Sequence, residues 1–98
     1  MDDILDNQEL YQELVTTFKA LANEDRLKIL ALLKENNEMS AQEVEKHFYL
    51  EQSTTSHHLN TLKRSKLTKS RKQGRHIFYS LDQKNSKVGV KKFLELFL

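Results

Sequence analysis

The chain of 98 residues contains no cysteine, no proline and only two glycines. The lack of cysteine excludes disulfides, thiolate metal sites, cysteine nucleophiles and thiol redox sensing. No proline-, glycine- or serine-rich linker and no internal repeat marks a domain boundary. We therefore expect a single domain over residues 1–98, with the modest hydrophobic core that this length allows.

Long apolar runs and a basic amino terminus are also lacking. The apolar stretches are far shorter than a membrane-spanning helix requires, and the first residues are acidic, unlike those of a signal peptide. We expect a cytoplasmic protein with no membrane partner. The sequence contains no cofactor-binding motif, and we expect no cofactor.

Acidic residues are missing from one long segment. Between Gln52 and Asp82 there is none, whereas seven positive charges occur there: Lys63, Arg64, Lys66, Lys69, Arg71, Lys72 and Arg75. The first fourteen residues show the reverse, with five acidic residues and no basic one. A formal net charge of only +2 thus conceals a polarised molecule, which implies a polyanionic partner for one face.

Apolar residues with the three-and-four spacing of amphipathic helices predict two helices early in the chain. The first runs from about Asn7 to Leu21. The second runs from Glu24 to Lys34 behind an N-cap at Asn23, and it is apolar around most of its circumference. We expect the second helix to be the centre of the core.

Two shorter helices are predicted next, joined by a tight turn. A capping box of Ser40 and Glu43 opens a helix that ends near His47. After a connection over residues 48–51, a further helix runs from about Gln52 to Ser65. One stripe of it is apolar and the opposite stripe is polar or cationic, with Ser53, Ser56, His57, Asn60, Lys63 and Arg64. This arrangement is typical of a helix-turn-helix.

The start of the later helix has the chemistry needed to read bases in a major groove. Its short or flexible donors and acceptors are Gln52, Ser53, Thr54, Ser56 and His57. The Thr54 methyl group could also contact a thymine methyl group. The alternative is an ordinary solvated helix face, against which the neighbouring acid-free segment argues.

From Leu67 to Leu81 the period changes to that of a β-hairpin, with a turn at Gln73-Gly74. The tip is cationic, with Arg71, Lys72 and Arg75. Such a tip could reach the sugar-phosphate backbone or the minor groove, as a wing beside a helix-turn-helix does. Alternatively, the charges could protect the edge of the sheet from aggregation.

Residues 50–81 resemble the recognition helix and wing of the ArsR/SmtB family of bacterial winged-helix repressors. The similarity is carried by Leu50, Gln52-Ser53, Ser56-His57, Leu59, Leu62 and the run from Arg71 to Arg75. Upstream, residues 18–29 resemble the entry into the family's second helix. The resemblance implies a mainly α fold with a small β-hairpin (α+β), a winged helix-turn-helix of four helices, two strands and a last helix.

The resemblance also implies a homodimer that binds double-stranded DNA at an imperfect palindrome. Its first and last helices would form the dimer interface. The chain has apolar residues for this purpose at Leu5, Leu10, Tyr11, Leu14, Val90, Phe93, Leu94 and Phe97. Burial of these residues within one subunit is the alternative.

Members of the family commonly release DNA when a metal ion or another inducer binds. At the places of the family's sensor ligands this chain has Ser40 and Gln42, and then Gln83, Asn85 and Leu96. Amides and a leucine cannot replace thiolates, carboxylates and imidazoles as zinc ligands. The adjacent side chains of His57 and His58 diverge on a helix. We therefore expect no metal site, and the inducer or protein partner is unknown.

These observations lead to the hypothesis of a sequence-specific DNA-binding repressor. Phosphate contacts are expected from Lys63, Arg64, Lys69, Arg71, Lys72 and Arg75, and base contacts from Gln52, Ser53, Thr54, Ser56 and His57. Asn60 and Gln73 are further residues expected to contact DNA. A protein-interaction module or an RNA-binding protein would be the alternative, although stacking platforms for RNA bases are lacking. No motif of an enzyme active site is present.

Overall fold

Five helices and three short strands make up the structure. The computed structural model describes residues 4–98, so Met1 and the acidic Asp2 and Asp3 lie outside the described residues. After a 3-10 turn at Ile4–Asp6, the helices are α1 (Gln8–Leu21), α2 (Glu24–Asn36), α3 (Ala41–Phe48), α4 (Gln52–Arg64) and α5 (Val88–Phe97). The strands are β1 (Met39–Ser40), β2 (Thr68–Gln73) and β3 (His76–Leu81).

Side-chain caps determine where the first three helices begin. The Asn7 side chain accepts a backbone hydrogen bond of 3.1 Å at the start of α1, and Asn23 accepts one of 3.0 Å at the start of α2. At α3 the capping box is complete, since Ser40 accepts from the Glu43 N–H at 3.2 Å and Glu43 accepts from the Ser40 N–H at 2.9 Å. The predicted helix starts are confirmed.

The sheet contains one strand more than the sequence analysis predicted. The hairpin of β2 and β3 is present, but β1 also pairs with β3, which gives the antiparallel order β1-β3-β2. The predicted turn is wrong by one residue, because Gln73 pairs with His76 and the turn consists of Gly74 and Arg75. Gly74 has a φ of +62°, which glycine adopts without steric cost.

The core lies between α2, α3, α4 and the sheet. Five of its side chains are completely shielded from solvent: Ile29, Leu33, Val44, Leu59 and Leu62. Burial of such a side chain contributes about 1.5 to 3 kcal/mol. Helix α2 is central as predicted, but it is not enclosed on all sides, because Ala31 is exposed and Leu27 is 50% exposed.

Helices α1 and α5 pack antiparallel at one end of the molecule. Thr17, near the end of α1, lies against Gly89 at the start of α5. Farther along, the rings of Phe18 and Phe93 meet edge to face with centroids 5.2 Å apart. The molecule is elongated, with extents of 50 × 23 × 21 Å. None of the helices within residues 4–98 has the length and apolar character needed to cross a bilayer.

The close approach of α1 and α5 leads to a prediction about Gly89. A Cβ atom at this position would lie 3.0 Å from Cβ and Cγ2 of Thr17 and still closer to its Oγ1. We expect Gly89→Ala to lower the free energy of unfolding by about 1 to 3 kcal/mol through overpacking. Urea denaturation at fixed protein concentration, followed by circular dichroism, measures this change.

The sign of the effect is informative, because alanine is otherwise better than glycine inside a helix by about 1 kcal/mol. Adding Thr17→Ala removes Oγ1 and Cγ2 from the contact, so the double variant should recover part of the lost stability. A more stable Gly89→Ala protein would contradict the close packing of the two helices.

Candidate nucleic-acid interface

One side of α4 is buried and the other is open to solvent. The buried residues are Thr55, His58, Leu59 and Leu62. Exposed residues form the opposite side: Gln52, Ser53, Ser56, His57, Asn60, Lys63 and Arg64. Thr54 is half-buried between the two sides. All of the α4 residues predicted to contact DNA, except Thr54, are thus exposed on the same side of the helix.

The turn before α4 contains an exposed aromatic residue. Tyr49 ends α3 in the left-handed conformation with a φ of +56°, and its N–H donates to the Glu45 carbonyl oxygen. Its side chain is 94% exposed. Tyr49 is not among the residues predicted from the sequence, where residues 48–51 form only a connection. An aromatic residue in the connection before a polar helix was the available signal.

Arg26 joins three helices at the inner side of α4. Its Nε donates to the carbonyl oxygen of Ala20 at 2.7 Å, and its Nη2 donates to that of Lys19 at 3.0 Å, both in the last turn of α1. Its Nη1 donates to Nδ1 of His58 on α4 at 3.2 Å. One guanidinium group, placed at the start of α2, thus fixes the end of α1 relative to α4.

The contact with Arg26 determines which ring nitrogen of His58 carries the proton. A guanidinium group carries only donors, so Nδ1 of His58 must accept and the ring proton lies on Nε2. Nε2 faces the Asp25 carboxylate at 3.9 Å. Burial lowers the pKa of His58, and the positive charge of Arg26 adds to this, while Asp25 acts in the opposite direction. The fold therefore favours the neutral imidazole.

The hairpin of β2 and β3 projects its cationic residues into solvent. All of the residues predicted there for DNA contact are exposed: Lys69, Arg71, Lys72, Gln73 and Arg75. Arg75 lies in the two-residue turn, and Lys72 lies one pair of residues before the end of the ladder. These two side chains are therefore at the tip of the wing, where the wing is defined as residues 68–81.

Arg71 differs from its basic neighbours because an acidic residue holds it. Its Nε and Nη2 donate to the two carboxylate oxygens of Glu38 at 2.8 and 2.6 Å. Its Nη1 donates to Oε1 of Gln73 at 2.6 Å. These hydrogen bonds lower the pKa of the Glu38 carboxyl group and raise that of Arg71. Glu38 therefore places a carboxylate against the segment that contains no acidic residue of its own.

Comparison with known proteins agrees with this geometry. A family model described as bacterial regulatory protein, arsR family, matches residues 23–69, from the start of α2 into β2. The transcriptional repressor SdpR of Bacillus subtilis is 40% identical over 65 residues, which cover 66% of this chain and 71% of that protein. The chain belongs to the ArsR family. ArsR proteins are transcriptional regulators and not enzymes.

Other ArsR-type relatives extend the match over more of the chain. The transcriptional activator HlyU of Vibrio cholerae is 42% identical over 82 residues, which cover 84% of this chain and 71% of that protein. The solution structure of a homodimeric winged helix-turn-helix DNA-binding domain from Mycobacterium bovis has a TM-score of 0.76 and 25% identity. That alignment covers 100% of this chain and 94% of the other. The winged helix-turn-helix fold is therefore confirmed.

Potential metal ligands do not converge in this ArsR protein. Within residues 4–98, no three histidine, aspartate or glutamate side chains come together in a way that could hold a metal ion. Asn85, at one of the family's sensor places, instead donates through its backbone N–H and its side-chain amide to Asp82, at 3.1 and 2.9 Å.

The residues predicted for a dimer interface divide into two groups. Leu10 and Leu14 are already buried within the subunit, because α5 packs along α1. For Leu10 and Leu14, the alternative that they are buried within one subunit applies. The other six retain exposed surface in the subunit: Leu5, Tyr11, Val90, Phe93, Leu94 and Phe97.

The burial of His58 leads to a prediction about pH. Because its folded-state pKa lies below the ordinary value of 6.5, its contribution to stability is fully present above that pH. The contribution is lost as the pH falls from 6.5 through the folded-state pKa. We expect His58→Gln, whose amide oxygen can still accept from Arg26, to reduce the loss of stability between pH 7.5 and 5.5.

The matched control for this experiment is His57→Gln, since His57 is adjacent but exposed. Urea denaturation at several pH values should give a clearly flatter pH dependence for His58→Gln and only a small change for His57→Gln, whose charge has the smallest influence on the pKa of His58. Equal pH dependence in all three proteins would contradict the buried neutral imidazole.

Proposed function

We propose that this protein is a homodimeric, sequence-specific DNA-binding repressor that occupies an imperfect palindromic operator and blocks a promoter. One observation carries the proposal: the polar, exposed side of α4 lies in a segment without acidic residues that continues into a cationic wing. A surface of this kind suits a polyanion with readable edges, which is duplex DNA. Such a protein would act in the cytoplasm as a single domain.

The exposed side chains divide by chemistry into two groups. Charged residues at the end of α4 and on the wing would contact phosphates: Lys63, Arg64, Lys69, Lys72 and Arg75, together with Gln73. Smaller polar residues on α4 would contact base edges: Gln52, Ser53, Thr54, Ser56, His57 and Asn60. The exposed phenol of Tyr49 adds a neutral donor for a phosphate beside α4.

A dimer is supported by apolar surface that one subunit leaves uncovered. On α5, Leu94 is 51% exposed and Phe97 43%, and Leu5 before α1 is 77% exposed. Leu94 and Phe97 lie one turn apart on α5, and large exposed apolar side chains that adjoin each other are typical of an interface. The related domain from Mycobacterium bovis is a homodimer. Two copies of α4 would then meet successive major grooves about 34 to 36 Å apart.

The relatives include both a repressor and an activator. We propose repression because a small dimer lying across a promoter blocks polymerase without further contacts, whereas activation requires an additional interaction. Release from DNA would need a ligand or protein that binds the free and DNA-bound forms with unequal affinity. An absence of binding to any duplex at low salt would favour a protein-interaction module instead.

The division between phosphate and base contacts predicts two different mutant phenotypes. Lys72→Ala should weaken binding to the protein's own upstream region and to random duplex alike, and should reduce the slope of log K against log salt by about 0.9 for each phosphate that is no longer neutralised. Ser56→Ala and His57→Ala should weaken specific binding by about 1 to 3 kcal/mol and leave random-duplex binding unchanged. Fluorescence anisotropy in a series of salt concentrations measures both effects.

Lys28→Ala is the matched control, because it removes an exposed lysine on α2 that is not one of the proposed phosphate contacts. Equal losses of specific and random binding in Ser56→Ala and His57→Ala would contradict base reading by α4.

The proposed dimer predicts that charge on α5 separates the subunits. Leu94→Glu would bury an unpaired carboxylate at the interface, which costs several kcal/mol. We expect a monomer in analytical ultracentrifugation and at least a tenfold loss of operator affinity, with helix content retained in circular dichroism. Leu27→Glu, an equally exposed leucine on α2, should remain dimeric. A dimer that tolerates glutamate at position 94 would place the interface elsewhere.

A further inference from the structure

We propose that Arg71 is a positioning residue of the wing and not a phosphate contact. Its pairing with Glu38 would fix the direction in which the wing leaves the body of the protein, and hence where Lys72 and Arg75 meet the duplex. This inference rests on the proposed DNA binding, and it changes the role that the sequence pattern predicts for Arg71.

The donors of Arg71 are largely committed within the protein. Nε and Nη2 form a two-pronged pair with the Glu38 carboxylate, and Nη1 is held by Gln73. The guanidinium carbon also lies 4.9 Å from the centroid of the Phe78 ring, in the geometry of a cation–π contact. Together, these three side chains hold the guanidinium group in one orientation.

The order of the strands gives this pair a mechanical role. Ser40 on β1, Phe78 on β3 and Arg71 on β2 lie in one row across the sheet. Glu38 precedes Ser40 by two residues, so the ion pair passes over Phe78 and connects β2 with the start of β1. Strands β1 and β2 are not hydrogen-bonded to each other. The side chains therefore supply a connection between them that the backbone does not.

The pair also lies where support for the wing ends. Strand β1 pairs only with Phe78 and Tyr79, so from residues 72 to 77 the wing is a ribbon of two strands. A ribbon of two strands has little stability of its own. Arg71 and Phe78 form the last row that touches the third strand. Contacts at this row control the direction of everything beyond it, including the charged tip.

Charge argues against Arg71 as a phosphate ligand. A phosphate that approached the guanidinium group would also approach the Glu38 carboxylate, whose oxygens are 2.6 and 2.8 Å from its nitrogens. The attraction and the repulsion largely cancel. A pair without net charge also neutralises no phosphate and releases no counterions from DNA, so it should add nothing to the salt dependence of binding.

The same pair connects the wing to the helix-turn-helix. Glu38 lies two residues before Ser40, whose side chain and backbone form the capping box of α3. Movement of the Glu38 backbone would therefore disturb the start of α3, which packs against α4. Arg71 thus relates the position of the wing to that of the reading helix.

Replacement of Glu38 by glutamine distinguishes a positioning role of Arg71 from a phosphate contact, because the two roles predict opposite changes in operator affinity. If Arg71 positions the wing, Glu38→Gln should weaken operator binding by about tenfold or less and reduce hydroxyl-radical protection on the outer flanks of the operator. If Arg71 contacts phosphate, the same change frees its charge, and binding should become tighter with a steeper salt slope. Tighter binding would overturn the proposal. Glu35→Gln, which removes an exposed charge on α2, is the control and should leave the outer footprint unchanged.

Replacement of Arg71 by lysine provides a second, independent test. Lysine keeps the charge but cannot form the two-pronged pair. We expect Arg71→Lys to lose the outer footprint as Arg71→Ala does. The double variant with Glu38→Gln and Arg71→Ala should bind the operator as tightly as whichever of the two single variants binds it less tightly. Wild-type binding by Arg71→Lys, or additive losses in the double variant, would overturn the proposal.

Measurements on the protein without DNA separate this inference from the proposed function. Amide hydrogen exchange in residues 72–77 should be faster in Glu38→Gln than in wild type, while exchange in α2 should be unchanged. Unchanged exchange in the wing would overturn the positioning role even if DNA binding is found. Failure of the wild-type protein to bind any duplex at low salt would instead overturn both proposals.

Discussion

The surface offered to a partner depends on how α4 is anchored on its other side. Leu59 and Leu62 of α4 belong to the same buried cluster as Ile29 and Leu33 of α2. Each of these side chains contributes about 1.5 to 3 kcal/mol on burial. A turn of α4 about its axis by one residue, roughly 100°, would expose one leucine and bury a polar side chain. The apolar contact therefore selects which residues face outward, although none of its members faces outward itself.

Directional hydrogen bonds fix the relative positions of the helices, which apolar burial alone does not. Packing of leucines permits small sliding movements, whereas the three hydrogen bonds of Arg26 fix the end of α1 relative to α4 at defined distances. Helix α1 is in turn held by α5 through the close contact of Thr17 and Gly89. The layer of terminal helices and α4 are thus parts of one continuous set of contacts. In a dimer built on those terminal helices, this set would transmit the geometry of the interface to the spacing of the two α4 helices.

Local patterns predicted the features that depend on neighbours in sequence. The caps at Asn23 and Ser40 act over three residues, and the starts of α2 and α3 followed from them. Strand β1 was missed because two residues show no alternation and their partners lie far along the chain. For Leu14 the sequence left both the dimer interface and burial within one subunit open, since an amphipathic stripe does not reveal whether α5 or a second subunit covers it. Sequence periodicity identifies a surface to be covered but not what covers it.

The distribution of charge shows the same distinction between sequence and space. The acid-free segment from residue 52 to residue 81 predicted an uninterrupted basic surface, yet Glu38 reaches that surface across the sheet from outside the segment. The base of the wing, where Arg71 is paired with Glu38, consequently carries no net charge. The tip at Lys72 and Arg75 keeps its positive charge. Attraction to phosphate and control of direction would then belong to different residues of one hairpin. Counting basic residues cannot separate the two roles, because the separation depends on the strand order that brings Glu38 and Arg71 together.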